Sequence, residues 1–117
     1  MKIYTWNNIP SEELNPLAGR QALHAEAMTM ARFDFRKGNE VASHHHVNDQ
    51  ITTVQSGKLM MTVGEETFEM NAGDMVLVPP DVPHGNVALE DTVVIELFSP
   101  KRQDWISGDD SYLRAKK

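Results

Sequence analysis

From about residue 28 onward the chain is a succession of short β-forming runs, each closed by a turn signal, and none of it sustains a helical period. Met28–Arg36 alternates, with Ala31, Phe33 and Phe35 on one face. Lys58–Gly64 sets Leu59, Met61 and Val63 against Met60 and Thr62. Phe68–Met70 follows the turn-like Gly64-Glu65-Glu66, and Asn71-Ala72-Gly73-Asp74 leads into Met75–Pro79. Thr92–Ser99 is the last strong strand. A chain this rich in strands has to dispose of their unpaired edges, and closing the sheet on itself does so while creating an interior. The pattern predicts an all-β barrel or sandwich, with helix only near residues 11–15 and in the tail after Pro100.

At 117 residues there is room for one domain and one core, and 40% hydrophobic residues suffice to build it. The expected unit is a single domain over 1–117, with a central portion at 38–99 and a tail at 100–117 packed near the barrel. The net charge is −6 and the 11 Lys and Arg are scattered apart from a short run at the C-terminal end, so the clustered basic surface that grips a phosphate backbone is missing. Nucleic acid is not an expected partner. No window approaches a membrane span and the first residues lack the apolar stretch of a signal peptide, so a cytoplasmic location away from membranes is expected. With no cysteine, thiolate ligands, disulfides and thiol nucleophiles are excluded, and a metal would take imidazole, carboxylate or amide donors.

Histidines supply that chemistry. In an extended strand, residues two apart share a face, so His44 and His46 point together while His45 points away. Gln50 keeps the parity and offers an amide oxygen. His84 follows Pro79-Pro80-Asp81-Val82-Pro83, whose prolines stiffen the approach of the chain. Taken singly, each residue has an ordinary reading: three histidines as an exposed polar turn, His84 bonded to a backbone carbonyl, Gln50 solvated. Glu96 interrupts the run Val93–Phe98, which is apolar on both faces, and so is expected to be at least partly buried near a cation or a metal; the other reading is an edge-strand glutamate paired with a surface lysine. Arg102 offers a planar fork suited to a carboxylate, or is a solvated tail arginine.

The spacing of these residues resembles the two cupin motifs. Gly38, five residues, His44, one, His46, three, Gln50, six and Gly57 follow the first, with Gln where that family usually has Glu. Gly73, five residues, Pro79 and then His84 follow the second, with Asp81 and Ala88 where glycine and asparagine are usual. The resemblance implies a double-stranded β-helix, or jelly-roll barrel, holding one divalent metal ion (Ni, Zn, Fe or Mn) through His44, His46, Gln50 and His84. A glutamine donor would leave the ion's charge uncompensated and remove the carboxylate that could act as a base beside it. The segments His44–Leu59 and Ile95–Trp105 are further similar to the pectin-degradation branch of the cupins, the KdgF family. That likeness implies a small-molecule substrate, a 4,5-unsaturated uronate whose ring is opened, with Phe98 and Arg102 in the active site and Glu96 where an aspartate is expected. Another cupin isomerase or dioxygenase acting on a small acid, and a non-catalytic sugar-acid or metal-binding module, share the same ligands. A homodimer is expected from the two-faced apolar strand 92–99 and from Tyr4 and Trp6, taken as exposed.

Overall fold

The computed structural model describes residues 2–114; the outer limits of the expected domain, residue 1 and residues 115–117 with the terminal lysines, lie outside the described residues. Ten strands run in the order β1 (Glu12–Asn15), β2 (Ala18–His24), β3 (Thr29–Phe35), β4 (Glu40–His44), β5 (Asp49–Ser56), β6 (Lys58–Val63), β7 (Glu66–Asn71), β8 (Met75–Val78), β9 (His84–Ala88) and β10 (Thr92–Ser99), before a single-turn helix, α1 (Gln103–Ile106). All strand pairs are antiparallel. They form a six-stranded sheet ordered β1-β2-β3-β10-β5-β8 and a four-stranded sheet ordered β4-β9-β6-β7, the two faces of the all-β barrel expected from the sequence.

Side-chain alternation decides what lies between the sheets. Ala31, Phe33 and Phe35 of β3, Val94 and Phe98 of β10, and Val54 of β5 point inward from the larger sheet; Leu59, Met61, Met70 and Ala88 meet them from the smaller one. Burying each of the larger side chains contributes about 1.5–3 kcal/mol before entropy is counted. Gly57, the last residue of the first motif, turns β5 into β6 at φ 91°, and a Cβ there would sit 2.3 Å from the Asp91 carbonyl oxygen. No L side chain fits that corner.

Two expectations are corrected. Residues 12–15 form an edge strand, not a helix: their backbone pairs with β2, and this tertiary pairing overrides a Glu- and Leu-containing local sequence. Trp6 is half-buried, its carbonyl taken by the Gln21 amide, so only Tyr4 of the two N-terminal aromatics is exposed. The tail turns back over one end of the barrel, where Asn15 donates to the Leu113 carbonyl and Arg20, almost wholly buried, pairs with Asp110 at 2.8 Å. No helix among the described residues is long and apolar enough to cross a membrane.

Candidate metal centre

His44 ends β4 and His84 begins β9, and the two stand directly opposite each other with ring centroids 4.4 Å apart. The register slips between Val41 and His44, the kind of irregularity that re-aims a side chain. The strands come close enough there that a Cβ on Gly85 would lie 2.7 Å from the Val41 carbonyl oxygen. His46 lies past the end of β4, in the turn to β5, yet still converges with His44, while His45 points outward with 65% of its side chain exposed. The parity read from the sequence thus selects the two rings that converge, although the strand stops two residues early. Asp81 donates its backbone N–H to the His46 carbonyl at 2.8 Å from a left-handed turn of φ 62°. Aspartate tolerates that conformation, so its presence where glycine is usual leaves the turn intact.

Each imidazole is held from behind. Nδ1 of His44, His46 and His84 bonds to the backbone carbonyls of Ala42 (2.8 Å), Asn48 (3.2 Å) and Val82 (2.8 Å). A ring donating through Nδ1 leaves Nε2 with its lone pair, the arrangement that orients a metal ligand. One ligand nitrogen from each ring lies within 4.8 Å of the others, and Nε2 of His84 is buried without a hydrogen-bond partner among the described residues. Burial, with neighbouring imidazoles and Arg102 adding to it, lowers His44 and His46 to about 4 and moves His84 in the same direction. All three are therefore neutral, the form that ligates. Convergent neutral nitrogens and an orphaned buried acceptor fit a divalent cation.

Gln50 enters from β5, buried, with Oε1 2.9 Å from His46 Nε2. Its Nε2 donates away from the histidines, to Thr52 Oγ1 at 2.8 Å and Glu96 Oε2 at 3.0 Å, and the Thr52 hydroxyl donates to the same Glu96 oxygen at 2.7 Å. Glu96 lies on β10, an interior strand between β3 and β5, which disposes of the edge-strand reading. Its carboxyl is raised to about 7, chiefly by burial, against the opposing pull of the Thr52 hydrogen bond and Arg102. Glutamine at position 50 takes away the ligating carboxylate of the usual motif, and the carboxyl that the sequence led one to expect near a metal, Glu96, lies immediately behind the amide. Both of these bonds fall on Oε2, and Glu96 Oε1 makes no hydrogen bond to protein among the described residues.

Arg102 is only 1% exposed, so it is not a solvated tail residue. Its Nε and Nη2 form a fork on Asp104 at 3.0 and 2.8 Å, and Nη2 also reaches Tyr112 Oη. The guanidinium lies 4.6 Å from the centre of the Phe98 ring and 4.2 Å from that of Trp105, and Phe98 in turn meets His46 edge-on. Tyr112 lies against His44 at 4.4 Å, in a 3-10 turn at Ser111–Leu113. These groups enclose a cavity of about 20 Å³ lined by His44, His84, Gln50, Glu96, Arg102 and Tyr112. A wider surface groove of about 600 Å³ beside Asn15–Gly19 contains none of them. Sequence reasoning missed Thr52, Asp104 and Tyr112. Thr52 shares the strand parity of Gln50 and was open to the same argument; Tyr112 is brought in by a fold-back that no local pattern announces.

The chain belongs to the cupin family: residues 31–99 match the cupin domain. Within it, the chain is similar to the pectin degradation protein KdgF of Dickeya dadantii, 32% identical over 100 residues that cover 83% of this chain and 91% of that one. The structure of KdgF from a Halomonas species superposes with a TM-score of 0.84 at 29% identity, covering 89% of this chain and 99% of that one. An RmlC-like cupin from Shewanella frigidimarina gives a TM-score of 0.85 at 28% identity over 90% of this chain and 96% of its own.

Proposed function

We propose that the protein is a cytoplasmic, metal-dependent enzyme that opens the ring of 4,5-unsaturated uronates, the monosaccharides left by lyases acting on pectin or alginate. The observation that carries the reading is a cluster of three convergent neutral imidazoles beside a small cavity that a buried carboxyl with one uncommitted oxygen and a buried arginine also line. Similarity to KdgF supports the substrate class.

His44, His46, His84 and Gln50 would hold the metal, which when bound supplies a Lewis acid for the substrate's oxygens. The reaction is an isomerisation. The proton leaves the anomeric hydroxyl, the bond between C1 and the ring oxygen breaks to give an aldehyde, and the resulting enolate takes a proton at C4. Glu96 carries that proton. Because Oε2 already accepts from Gln50 and Thr52, the proton sits on Oε1, and a carboxyl raised to about 7 can both accept and give near neutrality. Arg102, rigid on Phe98 and Trp105, presents Nη1, which has no protein acceptor among the described residues, to the substrate carboxylate. Phe98 forms the wall beneath it.

Loss of enol-ether absorbance from freshly prepared unsaturated galacturonate tests this. Metal-loaded protein is expected to accelerate it well above the uncatalysed rate; Glu96→Gln is expected to keep its metal content and lose about 10²–10⁴-fold in kcat, the usual worth of a positioned acid or base. Full activity in both Glu96→Gln and Arg102→Ala sinks the assignment of roles.

The protein is further proposed to act as a homodimer through the outer face of the six-stranded sheet. Met30, Leu97, Ile51 and Leu77 stand in one register row across β3, β10, β5 and β8, and Met30, Ile51 and Leu77 are 41%, 40% and 63% exposed. A contiguous apolar row on an otherwise acidic protein is matched by a second copy of itself across a two-fold axis. Light scattering is expected to give twice the mass of one chain, and Ile51→Glu with Leu77→Glu to return it to one; a monomeric wild type refutes the dimer.

A further inference from the structure

A carboxamide has two ends of nearly equal shape, and only its surroundings decide which faces a metal. At Gln50 the surroundings leave one solution. Both amide hydrogens find acceptors behind the ligand shell, Thr52 Oγ1 at 2.8 Å and Glu96 Oε2 at 3.0 Å. Thr52 spends its own hydrogen on Glu96 Oε2 at 2.7 Å, which leaves its oxygen lone pairs for Gln50. All three side chains are buried, so water does not compete for these positions. Turned around, the amide would set its oxygen against the oxygen of Glu96, lose both bonds behind the ligand shell, and offer hydrogens where an ion held by the histidines needs a lone pair.

We propose that Thr52 and Glu96 are positioning residues for the fourth metal donor: they hold the oxygen of Gln50 toward the imidazoles, and they make an amide, not a carboxylate, the workable donor at this position. The inference rests on the metal reading of the site. Its second half follows from the same distances. A glutamate at position 50 would put two carboxylates about 3 Å apart, where the amide nitrogen now donates to Glu96, in a place shielded from water where like charges repel most strongly. Glu96 and Gln50 are therefore one choice made at two positions. The carboxyl stands one side chain behind the donor set, and the donors themselves stay neutral. This gives a physical reason for glutamine where the first cupin motif usually carries glutamate.

The test reads metal affinity, independently of ring opening. Metal-free protein is titrated with Zn²⁺ by calorimetry and with Co²⁺ by its visible absorption. Thr52→Val, which keeps the shape and removes the hydroxyl, is expected to weaken binding by about 10- to 100-fold, the usual worth of a partner behind a ligand. Thr52→Ser is expected to restore it. Gln50→Glu is expected to bind more weakly than wild type, and Gln50→Glu combined with Glu96→Gln to recover most of the loss, because the exchanged pair again sets an amide against a carboxylate. Thr52→Val binding as the wild type does, or Gln50→Glu binding as tightly without the second change, overturns the proposal. Should a variant fail to fold, the wild-type side-chain NH₂ of Gln50 decides: two resolved proton resonances in slow exchange with water are expected, and exchange at the rate of an exposed glutamine overturns the clamp. A wild type that takes up neither ion while Gln50 stays protected overturns the metal reading and leaves the orientation of the amide supported.

Discussion

Replacing His84 by alanine is expected to abolish tight divalent-metal binding and, with it, the stabilisation that the ion confers. His84 is the most buried of the three imidazoles, and its Nε2 has no hydrogen-bond partner among the described residues. Even the outer partners of a metal ligand are worth about 10- to 100-fold in affinity, so loss of the ligand itself is expected to exceed roughly a hundredfold. An ion present at 100 times its dissociation constant stabilises a folded protein by about 2.7 kcal/mol. For a domain of this length that amounts to a rise in melting temperature on the order of 10 °C. Thermal unfolding of chelator-treated protein, with and without added Zn²⁺, is expected to show the rise in wild type and its absence in His84→Ala. Equal rises in both would remove His84 from the ligand set.

The second large effect concerns stability at the opposite side of the tail. Arg20 is buried and pairs with Asp110 at 2.8 Å, Asp110 being equally sheltered, while the other carboxylate on Arg20, Glu12, is half exposed. Asp110→Ala leaves the guanidinium buried over the Trp105 ring with only the exposed partner. Breaking a buried pair from one side typically costs 3–5 kcal/mol, so with Glu12 remaining about 3 kcal/mol is expected, read as a fall in the urea midpoint. A change below about 0.5 kcal/mol would show that the pair contributes nothing. The same carboxylate sets the acid limb. Burial would raise Asp110, but hydrogen bonds from Arg114 and Arg20 outweigh it and hold the group below the usual carboxylate range; Asp104 is lowered in the same way by Arg102. A depressed folded-state value means stability fully present above the unfolded carboxyl value of about 4 and lost as the pH falls below it, and the acid midpoint is expected to move upward in Asp110→Ala.

Most of the barrel is legible because burial on one side of a strand writes a period of two into the chain. Ala31, Phe33 and Phe35, and again Val94, Glu96 and Phe98, show it plainly, and the same parity separates His45 from its neighbours. Glu96 was readable as buried because a lone acid within an apolar run is carried inside together with the residues on either side of it. Residues 12–15 misled because a four-residue edge strand is held by its neighbour, and four residues carry too little pattern to declare it. Arg102 was legible as a guanidinium near the site, but its fork is already engaged by Asp104, two residues away, and by Tyr112, ten residues away. Only the return of the tail brings Tyr112 there. Contacts of that kind depend on where the chain goes after the barrel is complete, and no local period encodes them.

The cavity of about 20 Å³ beneath Tyr112 has room for little more than one ion or one water, far less than a sugar acid occupies. The strip of chain that closes it, Asp110 to Leu113, is fastened to the barrel by the ion pair of Asp110 with Arg20, by the neighbouring pair of Arg114 with Glu12 and by the Asn15 amide. On the proposed ring-opening reading, admitting a sugar acid would require Tyr112 to part from His44. The contacts that hold the tail to the barrel would then also govern access to the site, and strengthening them is expected to raise the melting temperature while slowing the proposed reaction.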